Sequence, residues 1–280
     1  MSDSPYAGHR AALASRHRKQ EVIAPVFRAV TGIEIEVCDI DTDAFGTFAG
    51  EVPRLDTPRE TAIAKARAGM EASGLRLGVA SEGTIGPDPL IPLATSDLEI
   101  IAFLDADTGL VITEWEISHD IVAVRQTIRP NDDVTELKLR ADFPRHGLIV
   151  RSHEGPDALI VKGITQETAL IAAIAECAAV NGTVVVESDL RAQFSPSRMA
   201  VIAACAARLA ERIATPCPEC SSPGWGRIEP ARGLGCSACG QEVASAVRAD
   251  RLGCPACPAQ REIPRSQTDV DPRWCPRCNP

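Results

Sequence analysis

The sequence predicts an α/β protein: a layered mixed sheet with flanking helices, divisible into two lobes, followed by a C-terminal zinc-ribbon region. Two observations carry the first part. Short apolar runs alternate with amphipathic stretches as far as about residue 214, and at least one pair of runs is joined tightly enough to be a hairpin. A third carries the rest: beyond 214 the helical and strand periods stop, and Cys, Pro and Gly take over. The expected organisation is an α/β domain over 1–214, with a lobe boundary near 118–145, and a double zinc ribbon over 215–280.

The elements follow in order. A helix beginning within 19–24 ends at Gly32, a residue suited to the left-handed position after a helix. Pro25 fits that helix in its first turn. Ile33, Ile35 and Val37 alternate with Glu34 and Glu36, the period of a half-exposed strand. Thr57-Pro-Arg-Glu60 is a capping box with proline at the first helical position, so a helix runs over 58–73 and stops at Gly74. The segment 75–81 reads as a strand opening into a glycine loop, and LEIIAFLD (98–105) with GLVITEWEI (109–117) as a hairpin. A helix is expected across 131–143, ending before Pro144. Strands follow at 147–152 and 158–163, then a helix over 165–180 with Thr165 as its cap. A strand at TVVVES (183–188) precedes a long helix to about 214.

Composition narrows the function. Aromatic residues make up 4% of the chain, so the core has to be aliphatic. A net charge of −9 argues against a generic polyanion binder. No apolar run is long enough to span a membrane, and the N-terminal stretch has no apolar signal region, so a cytoplasmic location is expected. Arginine is the default cation, 25 against four lysines: Lys19, Lys65, Lys138 and Lys162. A lysine retained against that bias suggests a need for a compact point charge, and Lys19 and Lys65 both fall in motif-like stretches.

Eight of the eleven cysteines form four Cys-x-x-Cys pairs: Cys217 with Cys220, Cys236 with Cys239, Cys254 with Cys257, and Cys275 with Cys278. Thiols this dense in a chain expected to be cytosolic point to metal rather than disulfides or redox pairs. Two residues between thiolates let both sulfurs reach one tetrahedral ion. Gaps of fifteen and seventeen residues favour sequential pairing, first pair with second and third with fourth, over cross-braced pairing. Two structural zinc sites are therefore expected. The tail holds eight Arg against seven acids, and two four-thiolate zinc centres bring its charge to about −3, so nucleic acid is not favoured and a protein partner is. Cys38, Cys177 and Cys205 read as small buried hydrophobes.

Four stretches of the front portion carry candidate chemistry. DTDAFGTFAGE (41–51) places Asp41 and Asp43 at i and i+2 after a strand, near Gly46, Thr47 and Glu51. That pattern suits Mg²⁺ and phosphate as well as a turn-rich loop. Glu60 and Lys65 lie on the capped helix. Glu82 stands in ASEGTIGPD, where α/β sheets place ligands. Arg191 and Arg198 stand with Glu187 and Asp189 in ESDLRAQFSPSR (187–198) at a strand-to-helix junction, where they suit a metal–phosphate pair or a structural ion-pair network. There is no serine nucleophile elbow, Walker A loop or full dinucleotide fingerprint.

DTDAFGTFAGE, ASEGTIGPDP, ESDLRAQFSPSRM and the four cysteine pairs together resemble an uncharacterised bacterial family, a domain of unknown function followed by paired zinc ribbons. In that pattern His often stands where Asp88 and Gln193 stand here, and the resemblance implies no established activity. Residues 15–86 are also similar, in part, to inosine/xanthosine-triphosphate pyrophosphatase-like proteins, through ETAIAKARAGM and LGVASEGTI. The phosphate loop of that family is approximated by Ser15-Arg-His-Arg-Lys19, with His for Asn and one residue fewer. This resemblance implies Lys19 on phosphate and Glu60 and Glu82 near Mg²⁺. The function expected is Mg²⁺-dependent binding or hydrolysis of a nucleotide or other phosphorylated small molecule, as by a phosphohydrolase or pyrophosphatase. Lys19, Asp41, Asp43, Glu51 and Glu82 would be catalytic, with Gly46, Thr47, Lys65, Arg191 and Arg198 binding ligand. The alternative is a non-catalytic scaffold whose ribbons recruit a protein or nucleic-acid partner.

Overall fold

The computed structural model describes residues 4–45, 56–88, 93–155 and 157–280. The first sheet is built from β1 (Arg10–Ala14), β2 (Glu34–Cys38), β3 (Leu77–Pro87), β4 (Thr95–Asp105) and β5 (Leu110–Ser118), in the order β2-β1-β3-β4-β5. The β1 pairings with β2 and β3 are parallel, whereas β3, β4 and β5 form an antiparallel meander. Helix α1 (Gln20–Thr31) follows β1, and α2 (Pro58–Ser73) precedes β3.

The start and stop signals work as their chemistry requires. Gly32 and Gly74 adopt φ +72° and return their N–H groups to Arg28 and Met70 carbonyls, closing α1 and α2. The Thr57–Glu60 capping box is formed in both directions. Pro25 stands in the second turn of α1 rather than the first.

Three departures have local causes. β1 (RAALA) has no alternation because both faces are covered: Ala11 and Leu13 face one helical layer, and Ala14 faces α2. β3 does not end at Ser81 but stays paired with β4 through Pro87, so Glu82 lies within a strand and not in a glycine loop. The glycine at 83 is there because a Cβ would overlap the Glu99 carboxylate and crowd the Arg198 guanidinium. The helix expected over 131–143 is the single short turn α3 (Thr135–Arg140).

After Ser118 the chain leaves this sheet and forms a second one. β6 (Arg125–Ile128), β7 (Leu148–Arg151), β8 (Ile160–Ile164) and β9 (Val184–Ser188) run in the order β6-β9-β7-β8, all pairings antiparallel. Helix α4 (Glu167–Asn181) supplies Leu170, Ile174 and Cys177 to its core; Gln166, not Thr165, stands at its N-cap and makes no side-chain cap. Helix α5 (Pro196–Ala214) then returns to the first sheet. Ile202, Leu209 and Ile213 of α5 and Ile23 and Phe27 of α1 bury Leu13, Val79, Ile101, Phe103 and Ile112. The opposite face is nearly all alanine (Ala14, Ala62, Ala66, Ala80 and Ala102), which lets α2 lie close; the Cβ of any residue at 69 would stand 3.3 Å from that of Ala14. No described helix is long and apolar enough to cross a membrane.

The cysteine region forms a third sheet. β12 (Glu242–Gly253) is its centre, pairing with β10 (Gly226–Arg227), β11 (Ala231–Gly235) and β13 (Gln260–Pro264).

Candidate functional site

The strand register decides how the cysteines assemble. Gly226 pairs with Gly253, which sets the 217–220 knuckle beside the one at 254–257. At the other end of β12, Gly235 pairs with Glu242 and Cys236 bridges to Val270, which brings the 236–239 knuckle to the one at 275–278. The quartets are thus Cys217, Cys220, Cys254 and Cys257, and Cys236, Cys239, Cys275 and Cys278. This overturns sequential pairing. A 12-residue strand, about 40 Å at 3.3 Å per residue, separates the second knuckle from the third.

Within the quartets the Sγ–Sγ distances are 3.8 Å (Cys217–Cys257), 3.6 Å (Cys220–Cys254), 3.9 Å (Cys236–Cys278) and 3.7 Å (Cys239–Cys275). A tetrahedron with Zn–S bonds of about 2.3 Å has an edge of about 3.8 Å. Sulfurs this far apart are not disulfide-bonded. Each quartet could hold a zinc ion, and four thiolates would leave no open coordination position. Gly240, at φ +70°, donates its N–H to the Cys236 carbonyl and closes one knuckle.

The other candidate site is a buried charge cluster where four elements of the first sheet layer meet. β1 runs through Ser15-Arg-His-Arg-Lys19 into the N-terminus of α1, whose first N–H groups and dipole favour an anion. Lys19 is buried, and its Nζ donates to Ser81 Oγ at 2.8 Å. Lys65, on the alanine-rich face of α2, pairs with Glu82 of β3 at 2.5 Å, both buried. Arg198, in the first turn of α5, is fully buried; its Nε donates to Glu99 Oε1 at 2.5 Å and its Nη1 to the Leu190 carbonyl at 2.8 Å. A cavity of about 30 Å³, room for a water or a single ion, is lined by Ser15, His17, Lys19, Ser81, Glu82 and Arg198, among others. The Ser15 hydroxyl has no hydrogen-bond partner among the described residues.

The electrostatics follow from burial. Desolvation, with Arg198 the next largest influence, lowers Lys19 to about 8. Asp97, 0% exposed on β4, is raised to about 7 by burial and then by the Glu99 carboxylate. Acid–base groups displaced towards neutrality in one place are a feature of reactive sites.

Of the residues singled out in the sequence, Lys19, Lys65, Glu82 and Arg198 come together here. Asp41 lies at the periphery, its side chain 66% exposed and accepting from Arg16 at 2.9 Å, while neighbouring Thr42 lines the cavity. Gly46, Thr47, Glu51 and the Asp43 side chain lie outside the described residues. Arg191 is elsewhere, chelating Asp189 beneath a cavity of about 370 Å³ on the second sheet, where Arg125 and Arg151 both pair with Glu187. Glu60 is engaged in its capping box. Asp88 faces His119 at 3.0 Å.

Sequence reasoning missed Asp97 and Glu99, and reached Ser15 only as the first residue of the approximated phosphate loop. A signal existed for the first two. In TSDLEIIAFLD the acids at 97 and 99 are in phase with Ile101 and Phe103, which places both carboxylates on the core face of the strand.

Fold and site together define a mixed α/β protein with a buried charge cluster, joined to a region of two cross-braced four-cysteine centres. The chain belongs to the family described as Domain of unknown function (DUF6671), whose model matches residues 65–280. No curated protein and no solved structure matches it.

Proposed function

We propose that the first sheet binds the phosphate chain of a nucleotide-class ligand together with a divalent cation and hydrolyses it, in the cytoplasm, and that zinc fills both cysteine quartets as a structural ion. The observation that carries this reading is the convergence of Lys19, Lys65 and Arg198 in one buried crevice at the N-terminus of α1. Three cations in one buried place, one of them lowered to about 8, favour an arriving polyanion. Lys19 neutralises phosphate charge, the α1 amide N–H groups donate to the phosphate oxygens, and Glu82, held by Lys65, orients water. Asp41, Asp43 and Glu51 are proposed contributors on sequence grounds. The partial resemblance to triphosphate pyrophosphatases supports the same role for Lys19. A cavity of about 30 Å³ holds a water or a single ion, so the phosphate chain reaches it only from its mouth and the base lies outside it.

The test is thermal protection of the zinc-loaded protein by purine and pyrimidine triphosphates, canonical and deaminated, with and without Mg²⁺. A Mg²⁺-dependent rise in Tm of several degrees, abolished in Lys19→Ala, is expected. No shift with any of them would leave the scaffold reading, for which the exposed Trp274 beside the second quartet is the natural contact point, its exposure 69%.

A further inference from the structure

The acids on the α5-facing side of the sheet form a series, and each but one has a cationic partner. Glu114 takes Arg212 at 2.8 Å and Arg227 at 3.2 Å; Glu116 takes Arg208 at 2.8 Å; Glu99 takes Arg198. The register confirms that these share a face: Glu99 lies opposite Glu116, and Ile101 opposite Glu114. Asp97, next along β4, is 0% exposed, and neither of its carboxylate oxygens has a hydrogen-bond partner among the described residues. Glu99 Oε2 is in the same condition. Three unpartnered carboxylate oxygens therefore lie on one short stretch of buried strand. Gly83, opposite Glu99, gives its side-chain space to the Glu99 carboxylate and the Arg198 guanidinium.

A proton shared between the two acids would satisfy two of these oxygens. A cation satisfies all three. We propose that Asp97 and Glu99 hold a divalent, oxygen-seeking cation of the Mg²⁺ or Mn²⁺ class, bound through Asp97 and through Glu99 Oε2. This places the metal on the core face of β4, behind the crevice that Arg198 lines, and not in the 41–51 stretch. It rests on the phosphate reading above for its role, because two carboxylates are an incomplete coordination shell. Among the described residues only the cysteine quartets bring three or more ligand atoms within 4.8 Å of one another. Mg²⁺ is commonly bound in just this way, by one or two carboxylates, with water and substrate phosphate completing the octahedron. Lys19 and Arg198 then flank the same phosphates from the other side.

The experiment is Mn²⁺ titration of the full zinc-loaded chain, with free Mn²⁺ read by electron paramagnetic resonance. Preloading the quartets with zinc keeps them out of the measurement. Wild type is expected to take up one Mn²⁺, Asp97→Asn to bind it at least tenfold more weakly, and Asp107→Asn, at an exposed acid just beyond β4, to match wild type. Asp97→Asn breaks no hydrogen bond, and its melting curve verifies that it is folded. Glu99→Gln keeps the length of its side chain and serves as the second variant, with weakened uptake expected. No uptake by wild type, equal uptake by Asp97→Asn, or loss in Asp107→Asn would each overturn the assignment. The phosphate reading is tested separately, by the protection that inorganic pyrophosphate gives in the presence of Mg²⁺. Protection without Mn²⁺ uptake removes the cation site alone, and uptake without protection removes the phosphate reading alone.

Discussion

Burial and the Glu99 carboxylate raise Asp97 to about 7, so the folded chain holds a proton on it through a range where the unfolded chain has released it. The native state then binds more protons than the unfolded state between about pH 4 and 7, and stability falls as pH rises across that window. Asparagine has the same shape and cannot ionise. In metal-free buffer, Asp97→Asn should melt together with wild type near pH 4.5 and above it at pH 8, by about 2–4 °C for each kcal/mol recovered. Calorimetry at the two pH values checks this, and a variant that melts lower at pH 8 would show that the carboxylate is satisfied after all. At this scale the sequence was partly legible. Lys19 and Lys65 stood out because the chain otherwise uses arginine, and both reached the cluster. Asp97 did not stand out because its signal is positional: an acid is unremarkable until its phase with Ile101 and Phe103 shows that it points inward.

Among the elements, α5 joins the two sheets, and its N-terminus shows how. Ser195 makes no side-chain cap there. Instead the buried His146 accepts the Ser197 N–H on Nε2 at 3.2 Å and lies 3.0 Å from its hydroxyl, while Nδ1 meets Asp142 at 2.9 Å. An acceptor Nε2 and a donor Nδ1 define the neutral imidazole. Burial lowers the His146 pKa, with Asp142 opposing less strongly, so protonation is taken up preferentially by the unfolded chain. The stability this cap confers is present above the unfolded value of about 6.5 and is lost as pH falls through the folded value. His146→Ala is expected to cost about 1–2 kcal/mol at pH 7.5 and to flatten the fall in Tm between pH 6.5 and 5. An unchanged acid slope would assign that fall to other groups. The elements with chemical punctuation, α2 with its capping box and α1 with Gly32, were legible end to end. β1 and α3 were not: β1 is covered on both faces and shows no period, and the polar run around α3 offers no apolar stripe from which to measure its length.

For the whole molecule, the sequence supplied all eight cysteines of the two quartets but pointed to the wrong partners, because gaps of fifteen and seventeen residues each fit a single ribbon and carry no information about the strand between the second and third knuckles. What decides is a strand, since β12 holds its two ends apart and each end gathers one early and one late knuckle. The centres also differ in setting. Beside the first, Arg212 of α5 donates to the Gly224 carbonyl at 3.0 Å, Arg227 lies 4.0 Å over the Trp115 ring, and Gly224 leaves no room for a side chain against Ile112. The second quartet packs with Leu234, Val243 and Val270 of its own region. Metal counting separates the pairings: Cys217→Ser with Cys254→Ser should release one zinc per chain, and Cys217→Ser with Cys236→Ser should release both, whereas sequential pairing predicts the reverse. Stability follows the same geometry. Structural zinc supplies folding free energy on the order of 10 kcal/mol to the segment that holds it. Loss of the first centre should therefore lower the melting temperature of the α/β sheets on which it is seated, while loss of the second, by Cys239→Ser with Cys275→Ser, should unfold its own hairpin and leave that transition in place. If both double variants lower the main transition equally, the two centres and the first sheet fold as one cooperative unit, and seating at Trp115 and Ile112 is not what couples them.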